Sequence, residues 1–138
     1  MAQSTEILPN GLQLLQDDRF FKLGQDSVLL SSFAKPRRNA KLLDLGCGTG
    51  ALALLVWRPD LTITGLELQD GPLDLFRQSI AANELENVTA LLGDLRQMRT
   101  LLPHGSMDYV ICNPPYFDRN AGANAPTAEK RTARQDAT

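Results

Sequence analysis

The chain has 138 residues, enough for one domain of ordinary size. It is 43% hydrophobic and 22% charged with a net charge of −2, the balance of a globular core rather than of a strongly basic nucleic-acid binder. No apolar run reaches the length of a membrane span, and the first residues (MAQSTEILPNG) lack the basic and apolar blocks of a signal peptide. Cys47 and Cys112 are far apart and have no metal-ligand spacing, so no metal is expected. They read as small buried thiols in a reducing, cytoplasmic setting.

At the start, Ile7-Leu8 and Leu12-Gln13-Leu14 flank Asn10-Gly11, a dipeptide that favours a two-residue hairpin turn. Asp26 or Ser27 is then placed to cap a short helix carrying Val28, Leu29, Leu30 and Phe33. Pro36 bounds it, because the residue before a proline disfavours helical angles. Lys35, Arg37 and Arg38 form a local basic cluster, and Lys130, Arg131 and Arg134 form another. Such clusters are more often solvated faces than phosphate grooves.

From residue 40 the rhythm changes. Short apolar runs at Lys41–Leu45, Leu61–Leu66, Val88–Leu92 and Asp108–Cys112 predict strands. Helical patterns separate them, around Gly50–Trp57, Pro72–Glu84 and Leu95–Leu101. Short buried strands alternating with helices predict an α/β, Rossmann-like parallel sheet covered on both faces by right-handed crossovers. Three segments follow: a hairpin and helix over 1–39, the α/β core over 40–117, and a polar tail over 118–138 with almost no large apolar residue. That tail is expected to be mobile.

Four motifs carry chemistry. LLDLGCGTG runs a strand into Gly46-x-Gly48-x-Gly50, whose glycines turn the backbone tightly and leave room for a ligand against the main chain. A glycine loop alone also serves nicotinamide, flavin and phosphate sites. Here, however, Asp44 precedes the first glycine by two residues, which would repel a pyrophosphate and suits a cationic ammonium group, such as the amino-acid end of S-adenosylmethionine. Glu67 ends the second core strand 23 residues later, near the spacing of a ribose-binding carboxylate. Asp94 follows the third, where it could accept a hydrogen bond from an adenine amino group. Each acid could instead be a helix cap, and for Asp94 taken alone capping is the better reading.

The fourth motif, Asn113-Pro114-Pro115-Tyr116, follows the last predicted strand. Consecutive prolines fix two φ angles and hold Asn113 extended. The Asn113 side-chain oxygen and the Pro114 carbonyl then form two acceptors able to hold an –NH₂ group, with Tyr116 as a stacking face. A conjugated amine is a poor nucleophile, and holding both its N–H bonds localises its lone pair for methyl transfer. His104, Trp57 and Cys112 read as a loop residue, a core residue and a packed strand residue.

Together these motifs resemble the class I methyltransferases, in the amino-methylating branch with the Asn-Pro-Pro-Tyr signature. The order NGLQLLQDDRFFKLGQDSVLL, LDLGCGTG, NPPYF, with EKRTARQD after it, is similar to the bacterial family that methylates an adenine in the anticodon loop of a valine tRNA. The resemblance implies sheet order 3-2-1-4 for the four core strands. It implies a cofactor site of Asp44, Gly46, Gly48, Gly50, Glu67, Leu68, Asp94, Leu95 and Asn113, with Lys22, Gln25 and Asp26 in a lid built from residues 1–39. It also implies Asn113, Pro114 and Tyr116 as the residues that hold the target base, and tRNA as partner, its base taken out of the stack.

Family members continue with three more strands. An end at residue 138 therefore implies an open edge on the fourth core strand, self-association through it, and doubtful activity for the chain alone. Two other functions fit the same motifs: methylation of a glutamine amide in peptide release factors, and a silent cofactor-binding fragment. The first usually carries a helical domain ahead of the glycine loop, where only about forty residues stand here.

Overall fold

The computed structural model describes residues 3–20, 25–97, 100, 102 and 105–112. Antiparallel strands β1 (Gln3–Ile7) and β2 (Gln13–Asp17) open the chain, followed by helix α1 (Gln25–Phe33). The core alternates β3 (Lys41–Leu45), α2 (Ala51–Leu55), β4 (Thr62–Glu67), α3 (Asp70–Ala82), β5 (Val88–Leu92), a single 3₁₀ turn at Leu95–Gln97, and β6 (Tyr109–Cys112). Its sheet is parallel in the order β5-β4-β3-β6, which is the expected 3-2-1-4. No helix among the described residues is long and apolar enough to cross a membrane.

Alternation along the strands sorts the core into two layers. Leu42, Ile63, Val88 and Ile111 pack with Leu52, Leu54, Leu73 and Phe76 of α2 and α3. Leu43, Leu45 and Leu66 point the other way, onto Leu102 of the β5–β6 connection. Of the helix expected over 95–101, the described residues show the 3₁₀ turn and a helical Thr100. Trp57 packs against the first layer and its indole N–H donates to Asn87 Oδ1 at 2.9 Å, as a core position should.

The hairpin turn differs from the two-residue form expected. Leu8 N–H donates to Leu12 O and Gly11 N–H to Leu8 O, both at 2.8 Å, so three residues form the turn and Gly11 alone is left-handed, at φ 90°. Proline decides this. A two-residue turn on Asn10-Gly11 would need the N–H that Pro9 lacks. Helix α1 likewise begins at Gln25, ahead of both expected caps.

The hairpin is built onto the core. Leu8 and Leu14 are buried in the α2–α3 layer, and the free edge of β2 docks on α3. Leu15 N–H donates to Ser79 Oγ at 2.9 Å, while Asn83 takes Gln13 N–H and returns its amide to Gln13 O, both at 2.8 Å. At the turn, the Asn10 amide reaches Leu54 O of α2 at 2.7 Å. Since Ser79 is fully buried, Ser79→Ala strands a backbone donor. It should lower unfolding stability by about 1–3 kcal/mol, read as a shifted urea midpoint.

Candidate cofactor site

The carboxyl ends of β3, β4 and β5 bring Asp44, the glycine loop, Glu67, Leu68 and Asp94 to one rim of the sheet. Such an end of an open parallel sheet is where ligands enter. Gly46, Gly48 and Gly50 all have positive φ, 65°, 57° and 90°, conformations that L side chains rarely adopt. A Cβ on Gly46 or Gly48 would meet nothing within 4 Å among the described residues, so these two face open space. Gly50 is different. A Cβ there would lie 2.1 Å from the Phe76 ring, and one on Gly65 of β4 would lie 2.6 Å from the same ring. Phe76 is therefore a wedge clamping the loop against the sheet, and it is fully buried.

Loop and neighbouring strand are tied by backbone. Leu66 O accepts from Gly46 N–H at 2.8 Å and Cys47 N–H at 3.1 Å. The Glu67 carboxylate spans the junction, taking Gly48 N–H at 2.8 Å on Oε1 and Gln69 N–H at 3.0 Å on Oε2. Leu68, next to it, is 65% exposed on the rim.

Asp44 lies beneath this loop, 1% exposed, and its Oδ2 has no hydrogen-bond partner among the described residues. Burial, and then the negative charge of Glu67, push its carboxyl up to about 8, against a smaller opposing pull from the Ala53 N–H. A buried carboxyl left half-satisfied is costly for a fold and marks a place for a donor or a cation. Cys47 and Cys112 are thiols held protonated by burial, with Asp44 adding to the effect, which fits packed rather than nucleophilic cysteines.

Asp94 is occupied. Its Oδ1 caps the 3₁₀ turn by accepting Arg96 N–H at 2.9 Å, and its Oδ2 pairs with the Arg96 guanidinium at 2.6 Å. That contact holds the carboxyl below the usual range. Arg96 is 88% exposed, so the pair sits in water and is weak. Asp94 thus caps the turn in this structure, a role that its sequence context also allowed. Leu95 begins the turn, and Gln25 and Asp26 begin α1; their side chains, like Lys22, Asn113, Pro114 and Tyr116, lie outside the described residues. So does the tail over 118–138.

No motif in the sequence marks Phe76 or the Gly48–Glu67 bond. A glycine inside an apolar strand, Gly65, was the available signal for a close approach. The Asp17–Arg19 ion pair at 2.8 Å is likewise unmarked by any motif.

A family model for the methyltransferase small domain matches residues 23–133. The chain belongs to the methyltransferase small domain family. Within that family it is similar to tRNA1(Val) (adenine(37)-N6)-methyltransferase of Pseudoalteromonas translucida, 34% identical over 105 residues, covering 75% of this chain and 44% of that protein. It is also similar to the protein of the same name in Escherichia coli O157:H7, 29% identical over 140 residues, covering 94% and 57%. The chain thus spans about half the length of these relatives. Among solved structures, M. jannaschii tRNA m1G37 methyltransferase aligns with a TM-score of 0.64 at 21% identity, covering 91% of this chain and 38% of that one. That likeness carries the fold, and it bears out the Rossmann-like α/β architecture of this small-domain member.

Proposed function

We propose that the chain is the S-adenosylmethionine-binding part of a cytoplasmic N-methyltransferase acting on the exocyclic amine of an adenine in tRNA. The observation that carries this is the half-satisfied Asp44 carboxyl beneath open glycines, one strand from Glu67. The cofactor supplies an electrophilic methyl on a sulfonium. Ionised Asp44 suits its ammonium end, either directly or through water. Gly46 and Gly48 leave room for a ligand against the main chain, Glu67 has the strand-end position of a ribose acceptor, and the exposed Leu68 offers an apolar contact beside it. The names of the relatives support the adenine acceptor and tRNA.

Asn113 and Pro114 are assigned to the two hydrogens of the amine and Tyr116 to its ring. Lys22, Gln25 and Asp26 are assigned to a lid, and Asp94 and Leu95 to the adenine edge once Arg96 gives way. The glutamine-amide acceptor is the weaker reading, because the relatives to which the chain is similar carry the name of tRNA adenine methyltransferases.

Labelled methyl transfer to unmodified bulk tRNA, set beside peptide release factor, tests the acceptor. Incorporation into tRNA, lost in Asn113→Ala while cofactor binding persists, is expected. Incorporation into release factor, or transfer that survives Asn113→Ala, would contradict the proposal.

A further inference from the structure

At the opposite end of the sheet, the amino ends of β3 and β6 carry a concentration of positive charge. Lys35, Arg37 and Arg38 lie in the connection from α1 to β3, Lys41 starts β3, and Arg58 lies between α2 and β4. Five cations there face two carboxylates, Asp60 and Asp108, in a chain whose overall charge is −2. Lys35 and Arg38 have no ion-pair partner among the described residues, and Arg37 is 81% exposed with a loose 3.6 Å contact to Asp108. The acidic residues of this end, Glu84 and Glu86, lie before β5, on the far side of the sheet order.

The loop is also fixed. Arg58 donates to Pro36 O at 2.9 Å and Arg37 O at 3.3 Å while paired to Asp60, which takes Asn39 N–H at 2.8 Å. Lys35 N–H donates to the Tyr109 hydroxyl at 3.2 Å. The bonds that reach the loop grip its backbone, so the Lys35 and Arg38 side chains, and that of Arg37 apart from its loose contact with Asp108, are left outside the scaffold that shapes their loop. Phe33, two residues before Lys35, is 71% exposed and offers a face on which a base can stack.

We infer that the Lys35–Arg38 loop is a second contact for RNA, binding phosphates at the end of the sheet remote from the glycine loop. A five-residue strand separates the two ends by about 17 Å, roughly five nucleotides of a stacked strand. An RNA held at both ends is thus longer than the reacting nucleotide and its neighbours. This rests on the tRNA reading above.

The test is binding of fluorescently labelled bulk tRNA to the full chain across a salt series, with a Lys35→Ala/Arg37→Ala/Arg38→Ala variant. Loss of three phosphate contacts should weaken binding about 100-fold at 0.1 M salt and flatten the log–log salt slope by about two to three. The melting temperature and S-adenosylmethionine affinity should stay at the wild-type values, because the loop is held through its backbone. Wild-type binding with an unchanged slope in the variant would overturn the second contact and leave the tRNA reading standing. No tRNA binding by the wild type would overturn both. If the triple variant unfolds, Arg38→Glu alone, at an exposed position without an ion pair, should still weaken binding about tenfold, and wild-type affinity there would overturn the inference.

Discussion

Asp44→Asn is expected to abolish S-adenosylmethionine binding while leaving the chain at least as stable as the wild type at pH 7. The reason lies in the proton that Asp44 holds. Its carboxyl is pushed up to about 8 in the folded chain, chiefly by burial, whereas in the unfolded chain it ionises near pH 4. Between these values folding takes up a proton, so this group's contribution to stability is full below about pH 4 and declines as pH rises towards 8. At pH 7 the penalty reaches up to about 4 kcal/mol. An asparagine cannot ionise and escapes it, so urea unfolding should show the variant's advantage growing from pH 5 to pH 8. A cationic ligand needs the ionised form. Wild-type affinity should therefore rise about tenfold per unit up to about pH 7 and more shallowly towards pH 8. The stability penalty and the binding capacity are then two consequences of one buried carboxyl.

Gly50→Ala should be among the most damaging single substitutions in the chain. A left-handed backbone at φ 90° costs a non-glycine residue about 1–2 kcal/mol. The added methyl would also lie 2.1 Å from a Phe76 ring that is fully buried, and overpacking adds about 1–3 kcal/mol. A combined loss of roughly 2–5 kcal/mol is a large part of the 5–15 kcal/mol of an ordinary domain. Thermal melting reads it. Adding Phe76→Leu should recover the packing share but not the backbone share, because only the first involves the ring. Gly65→Ala, which meets the same ring at 2.6 Å without a positive φ, should be rescued more fully. Equal rescue of both would mean that the backbone at Gly50 carries no strain.

The sheet was legible because its information is local. The run LLDL is apolar but for one residue, and a parallel strand buried on both faces demands nearly that. Boundaries moved by one residue at β4 and β6, the usual margin for fraying ends. The glycine loop and the three acids were legible as a set because each lies at or just past the carboxyl end of a strand. The contacts of Asp94 depend on Arg96 two residues on, a competition between a cap and a ligand that spacing alone does not show. The docked hairpin was not legible. Ser79 and Asn83 read as ordinary helix positions, and their bonds to β2 span more than sixty residues of chain. Long-range polar pairs of this kind leave no periodic trace. The turn was misread for a smaller reason: Asn10-Gly11 is a strong hairpin signal, but the missing donor of Pro9 outweighs it.

The central claim is that a buried carboxyl under the glycine loop receives the cationic end of the cofactor. Calorimetric titration with S-adenosylmethionine at pH 6, 7 and 8, in two buffers of different ionisation enthalpy, tests it most directly. Saturable binding to one site is expected, with affinity rising about tenfold from pH 6 to 7 and about fivefold from pH 7 to 8, and release of close to one proton at pH 6 and 7. Absence of heat at millimolar ligand at pH 8, or equal binding by Asp44→Asn, would contradict it.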